Sequence, residues 1–395
     1  KTQYITCENG KMEALTIIDE IKKLYNEGYD YKDIGILYRT NGQSRLLEEV
    51  FLKENIPYNV VGAYYFYQRK EIKDLLSYLK LINNQNDDIA LRRVINEPKR
   101  GIGKKAIENL SNEATRLGSS MFDAISKGRE LAFKDLILDM IKAQDNLSLT
   151  EFIDYVIDKS GMKESLTSEK SLENDLRLDN LEEFKSVTAS FEERTGSVNL
   201  SDFLEEISLV ADISEHKEEK DAVTLMTIHS AKGLEFDCVF LCGMEEGIFP
   251  HQNSFESDAE IEEERRLCYV GITRARKVLY LTNAHSRILY GREQVNPPSR
   301  FIKEIDKDLL DVKVKSMGLE HLRSKNVGKI PTFSSKSSFY NNDGESLEFK
   351  VGDHLMHSLY GRGTIVAMDN TFYTVAFSSR FGIKKIMKNF KGIRK

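Results

Sequence analysis

In "TIHSAKGLEF", Thr227 to Phe236, a histidine, a lysine, a glycine and a glutamate fall within ten residues. The groups of His229 and Lys232 can approach a phosphate, and Gly233 permits close backbone approach. The flanking pattern reads as a strand end followed by a helix that starts at Glu235, so a phosphate-and-ribose contact loop is expected. A polar turn with a solvated lysine would have the same composition. "EEERRLCYVGITRAR", Glu262 to Arg276, starts with acidic residues that suit a helix N-terminus. It ends in Arg274 and Arg276, either of which could fork onto phosphate oxygens; a solvated basic helix end is the plainer alternative. "PKRGIGKKAIENL" sets Gly101 and Gly103 among Lys99, Arg100, Lys104 and Lys105, just before a helix. Two glycines and a helix N-terminus let backbone amides meet a phosphate, and the cations would neutralise a nucleic-acid backbone without reading its sequence. A glycine-rich domain junction is the competing reading.

The elements that must carry these groups read as α/β. "YDYKDIGILYRTN" contains a short apolar strand, Ile34 to Tyr38, ending in Arg39, Thr40 and Asn41. "QSRLLEEVFLKENI" follows with apolar residues at helical spacing, Leu46, Leu47, Val50 and Phe51, and "YNVVG" reads as the next strand. In such a βαβ rhythm ligand-facing residues lie just past the strand ends. From Pro98 to about Asp221 charged amphipathic stretches dominate, which predicts a mostly helical insertion. "AVTLMTIHS", "DCVFLCGM" and "KVLYLTNA" then restore strands. After Asp311 the composition of "SSKSSFYNNDGES" is that of a mobile linker, and "KVGDHLMHSLYGRGTIVAMDNTFYTVAF" alternates like a small, strongly bent β-barrel. The expected boundaries are 1–97, 98–220, 221–310, 311–347 and 348–395.

With 395 residues, 40% of them hydrophobic, the chain can build two or three domains. It has no apolar run long enough for a membrane span, so a cytoplasmic protein without membrane contacts is expected. The net charge of -6 is uneven, because Phe349–Lys395 holds nine Lys or Arg against two Asp and leaves the remainder near -13. A basic tail of this kind meets nucleic acid or an acidic protein surface. Cys7, Cys238, Cys242 and Cys268 form no metal-ligand pattern, and Cys238 and Cys242 sit at even spacing on an apolar strand, as core residues do. His354 and His357 lack a third ligand, and no metal site is expected. Tyr360, Phe372, Tyr373 and Phe377 read as core and rim of the barrel rather than as a ligand cage.

Taken in order, "ILYRTNGQSRLLEE", "FYQRKEIKD", "TIHSAKGLEF", "GMEEGIFP" and "EEERRLCYVGITRA" resemble the C-terminal half of a UvrD/Rep-type superfamily 1A DNA helicase. The resemblance covers nearly the whole chain. It implies the second RecA-like domain (2A) interrupted by a helical 2B insertion, and a tail similar to Tudor-like C-terminal domains linked in the family to RNA polymerase. It further implies that Arg39 and Arg274 reach the γ-phosphate of an ATP held by the preceding domain, as arginine fingers do, with Gly233 and Glu235 beside the nucleotide. Glu235 matches the ribose contact, His229 and Lys232 match positions near single-stranded DNA, and Tyr290 matches a base-stacking aromatic. The Gly-Ile-Gly turn resembles a helix-hairpin-helix grip on duplex DNA. Arg69 belongs to another motif, with an ion pair to Glu71 or Asp74 as an equal possibility.

One departure stands out. No GxxxxGK[ST] occurs, since Pro98 replaces the first glycine ahead of "GIGKKA", and no strand ends in an Asp-Glu pair. The fragment is therefore expected to be inactive alone and to bind neither ATP nor Mg2+ tightly. The full-length protein is expected to be an ATP- and Mg2+-dependent 3′–5′ helicase of DNA repair or replication, partnered by its own N-terminal motor domain. A non-catalytic module that docks on DNA or RNA polymerase is the alternative.

Overall fold

A computed structural model describes residues 1–169, 171–213, 219–315 and 349–395. Among these residues the chain forms two compact units, one of 1–190 and 200–315, the other of 191–199 and 349–395.

The first unit is built on one sheet. Its first strands and helices are β1 (Thr2–Asn9), α1 (Gly10–Asn26), β2 (Ile34–Tyr38), α2 (Ser44–Lys53) and β3 (Tyr58–Val61). Helices then follow without a strand: α3 (Lys70–Asn83), α4 (Asp88–Val94), α5 (Lys104–Leu117), α6 (Met121–Ala124), α7 (Arg129–Ala143), α8 (Leu149–Lys159), α9 (Met162–Ser168), α10 (Leu172–Thr195) and α11 (Leu200–Ile213). The sheet resumes with β4 (Val223–Thr227), β5 (Phe236–Leu241), α12 (Asp258–Ile272), β6 (Ala275–Leu289), β7 (Arg292–Val295), α13 (Arg300–Lys303) and β8 (Leu310–Lys315). The order is β3-β4-β2-β5-β6-β1-β8, every neighbouring pair parallel, with β7 antiparallel on β6.

Parallel strands need helices on both faces, and their sequences are correspondingly apolar. All five residues of β2 are buried. Helix α1 starts where Asn9 Oδ1 accepts the Met12 N–H at 2.9 Å. Its Ile17, Ile18, Ile21 and Leu24 recur at helical spacing and pack with Ile36, Phe51 and Phe240. Cys238 and Cys242 lie in that same core. On the opposite face Cys268 of α12 packs with Leu241, Phe249 and Phe301. Each fully buried Ile, Leu or Phe contributes roughly 1.5–3 kcal/mol of transfer free energy. Burial pushes the thiols of Cys7, Cys238 and Cys268 up to about 12.

Two sequence expectations change here. Leu310–Lys315, placed mainly in the linker, is β8, an edge strand in register with β1 (Tyr4 opposite Val312, Thr6 opposite Val314); its Lys and Asp side chains disguised it. The remainder of that linker, including "SSKSSFYNNDGES", lies outside the described residues. No helix starts at Glu235: after β4 the chain makes turns through Gly233 and enters β5 directly at Phe236.

The second unit holds β9 (His354–His357), β10 (Gly361–Met368), β11 (Phe372–Ala376), β12 (Ile383–Met387) and β13 (Ile393–Arg394), antiparallel in the order β12-β11-β10-β9-β13. The terminal strands β12 and β13 do not pair, so the path is an open sheet where a closed barrel was expected. Residues 191–199 add to its edge, the Val198 N–H donating to Lys385 O at 3.1 Å and the Met387 N–H to Gly196 O at 3.0 Å. Phe349, Leu355, Ile365, Tyr373, Val375 and Ile386 form its core. His354 and His357 point to opposite faces of β9, exposed and buried respectively, as residues three apart in a strand must.

Candidate functional site

Of the groups singled out in the sequence, Arg39 and His229 lie just past the carboxyl ends of β2 and β4, whereas Arg274 precedes β6 and bonds the segment that enters the amino end of β5. β2 hands the chain to Arg39, whose backbone N–H, like that of Thr40, donates to Gln43 Oε1 at 2.9 and 3.0 Å. The Arg39 guanidinium turns onto Glu264 of α12. Its Nε donates to Oε1 at 2.9 Å and Oε2 at 3.0 Å, and its Nη2 to Oε1 at 2.7 Å. Glu264 Oε2 also accepts the His251 N–H at 3.1 Å.

β4 delivers the loop that carries His229. Thr227 Oγ1 accepts the Ser230 N–H at 3.2 Å, and Leu234 N–H donates to Ala231 O at 3.1 Å, which shapes the turn. The rings of His229 and His251 are both held below the usual histidine pKa, first by desolvation and then by the Arg39 charge, with Glu264 opposing. Lys232, Gly233 and Glu235 are exposed. Gly233 has φ +89°, a left-handed backbone that favours glycine, and open space stands where a Cβ would lie.

Arg274, just beyond the end of α12, closes over the same loop. Its Nε donates to Val270 O at 3.0 Å, its Nη1 to Leu234 O at 3.0 Å and its Nη2 to Thr273 Oγ1 at 3.1 Å. Phe236 N–H in turn donates to Arg274 O at 2.9 Å. Arg276 instead joins Lys277 on Asp237, both at 2.8 Å.

Other expected site residues have structural duties. Arg69 makes no ion pair with Glu71 or Asp74. It is 5% exposed, donates to Asn180 Oδ1 at 2.6 Å, Ser44 Oγ at 3.0 Å and Tyr64 O at 3.2 Å, and lies over the Phe66 ring; Asp74 pairs with Arg93 and Lys70 instead. Arg100 donates to Ser160 O at 2.6 Å, Tyr78 OH at 2.7 Å, Pro98 O at 3.1 Å and Val94 O at 3.2 Å. These bonds remove it from the cations offered to a phosphate. Tyr290 occupies the β6–β7 turn with φ +54°. Its phenol pKa is raised first by burial and then by Asp179, Glu183 and Glu182.

The Gly-Ile-Gly turn is real in its geometry. Gly101 has φ +72°, and Asn96 Oδ1 accepts the N–H groups of Arg100 and Ile102 at 2.8 and 3.0 Å. Gly103 caps the 14-residue α5, its carbonyl accepting the Ala106 N–H at 3.0 Å, with Lys99, Lys104 and Lys105 exposed around it. Arg129 at the start of α7 adds a cation, its Nη1 donating to Gly101 O at 3.1 Å. Glu264, Asn96 and Arg129 were not singled out in the sequence. Glu264 was visible only as part of an acidic helix start, and the "KGRE" around Arg129 repeats the glycine-before-helix signal.

The arrangement is that of a parallel-sheet α/β domain interrupted by a helical insertion. The chain belongs to the UvrD-like helicase C-terminal domain family, whose pattern matches residues 1–286. Along its whole length it is similar to proteins named ATP-dependent DNA helicase PcrA. The one from Staphylococcus epidermidis is 44% identical over 419 residues, covering 100% of this chain and 56% of the relative. That from Bacillus subtilis (strain 168) is 42% identical over 424 residues, covering 100% and 57%. That from Staphylococcus aureus is 44% identical over 416 residues, covering 100% and 56%. The chain thus spans a little over half the length of these relatives. Among the described residues no helix is long and apolar enough to cross a membrane.

Proposed function

We propose that this chain is the C-terminal half of an ATP-dependent DNA translocase that unwinds DNA in the 3′–5′ direction, in repair or replication. It supplies Arg39 and Arg274 to a nucleotide bound mainly by a P-loop domain outside it. The observation that carries this reading is the placement of Arg39 at the end of a buried parallel strand, fixed by Glu264 and next to the His229 loop. Domain 2A comprises 1–97 and 221–310 extended by β8, and 2B the helices between.

The residues present fit the triphosphate end of ATP: two guanidinium groups, an exposed glycine with free backbone approach, and Glu235 for a ribose hydroxyl. When bound, ATP supplies the phosphoanhydride bond whose cleavage drives movement, and Mg2+ belongs with the P-loop domain. Arg39 and Arg274 would stabilise charge on the transferring phosphoryl group. His229 and Lys232 face the single strand, and the Gly-Ile-Gly turn with Lys99, Lys104 and Lys105 holds duplex phosphates. Arg274 uses three of its five N–H groups on Val270 O, Leu234 O and Thr273 Oγ1, which leaves two for phosphate.

The deciding measurement is DNA-stimulated ATPase of this chain alone and joined to its P-loop domain. Turnover by the joined protein, none by the chain and none after Arg274→Ala, is expected. Turnover by the chain alone that Arg274→Ala abolishes would overturn the two-domain site. The second reading, a docking module for DNA or RNA polymerase, is favoured by the excess of cations in the small Tudor-like sheet; it would stand if the joined protein were inert yet bound either partner through Phe349–Lys395.

A further inference from the structure

Glu264 does more than balance a charge. Its side chain is 6% exposed, whereas that of Arg39 keeps 21% of its surface open. Both Glu264 oxygens are occupied, Oε1 by Nε and Nη2 of Arg39, and Oε2 by Nε and by the His251 N–H. The carboxylate, carried on α12, is thus held by two partners, the Arg39 guanidinium and the His251 backbone amide. Arg39 is gripped along its Nε–Nη2 edge, while Nη1 makes no hydrogen bond to any described residue.

We infer that Glu264 is a positioning residue for Arg39, fixing the guanidinium plane so that its Nη1 edge is the one presented to a terminal phosphate. This rests on the reading of Arg39 as a phosphate-contacting arginine. Two opposing effects make the inference specific. A carboxylate beside Arg39 weakens the attraction of that arginine for an anion, so charge alone would not place one there. Orientation compensates, because a long arginine side chain held in one geometry loses little freedom when the reacting phosphate arrives. Removing Glu264 should thus leave ground-state binding intact or tighter while it lowers the rate of the chemical step.

The experiment uses the full-length protein and its DNA-stimulated ATPase, with ATP titrated. Arg39→Ala should lower kcat about 10²–10³-fold, as removal of an oriented donor does. Glu264→Ala should lower kcat about tenfold or more with KM for ATP unchanged or reduced, and Glu264→Gln, which keeps an acceptor oxygen, should recover most of that loss. The Arg39→Ala/Glu264→Ala double variant should be no slower than Arg39→Ala alone, since a positioner has nothing left to position. A normal kcat in Glu264→Ala, a rise in KM alone, or a further loss in the double variant overturns the role of Glu264. Arg39→Ala with undiminished turnover overturns instead the reading of Arg39. Should Glu264→Ala not fold, the kcat and KM of Glu264→Gln and the ¹⁵N signal of Arg39 Nε in that variant decide, a normal kcat with a freely exchanging Nε–H counting against the role.

Discussion

Arg45 of α2 and Glu183 of α10, 138 residues apart, form an ion pair of 2.9 Å with side chains 4% and 5% exposed. Arg45 also reaches Glu49 at 3.0 Å, and Ser186 hydroxyl donates to the same Glu183 carboxylate at 3.2 Å. Asn180, three residues before Glu183, bonds Arg69 and Glu71, and Ser186, three after it, accepts the Gly291 N–H at 3.1 Å. One polar stripe of α10 thus ties the insertion to α2, α3 and the β6–β7 turn.

Arg45→Ala leaves Glu183 buried without its cation. Stripping one partner from a buried pair costs about 3–5 kcal/mol. The loss is expected in the first unit's unfolding, measured by urea titration. Arg45→Ala/Glu183→Ala should be less damaging than the sum of the singles, and strict additivity would show that the pair is not a unit.

Asp179 on the same helix has its pKa raised to about 6 by desolvation, with Asp175 and Glu182 adding to it. In the unfolded chain it titrates near the ordinary aspartate value of 3.8. Between these values the folded chain binds the proton that the unfolded chain has released, so this group's contribution to stability falls as pH rises from about 4 to 6. Asp179→Asn should therefore raise the melting temperature at pH 7 more than at pH 4. An equal effect at both would show that Asp179 does not titrate as its surroundings require.

Lys99, Lys104 and Lys105 are exposed whereas Arg100 is bonded to four partners, so adjacent cations should behave oppositely. Changing the three lysines to Ala should weaken duplex DNA binding and reduce the slope of log affinity against log salt by up to about 2.7, with stability unchanged. Arg100→Ala should leave buried carbonyls unpaired and destabilise the helical insertion by about 1–3 kcal/mol. Equal loss of DNA affinity and no loss of stability in Arg100→Ala would return Arg100 to the phosphate surface.

The apolar runs of β2, β4 and β5 were legible because strands covered on both faces are mostly apolar. β8 was not, because "LDVKVK" alternates and its lysines resemble those of a linker until β1 is seen beside it. The expected helix at Glu235 failed for a related reason: a glycine loop after a strand leads as readily to another strand, and only the pairing of Phe236 with β6 decides. The motifs located Arg39, His229, Glu235 and Arg274, yet sequence spacing cannot say which donors are already in use.

The sequence by itself determined the alternation of apolar strand and amphipathic helix, the residue types at each strand end, and the family, since these depend on residue type and local spacing. Tertiary structure alone decided which charges meet. Arg39 and Glu264 are 225 residues apart in the chain, and no local pattern distinguishes that carboxylate from Glu262 or Glu263. Likewise Arg100 differs from Lys99 only in where its guanidinium lies once Tyr78 and Ser160 are folded against it. Long-range electrostatic partners are selected by burial and by the approach of distant elements, quantities that exist only in the folded chain.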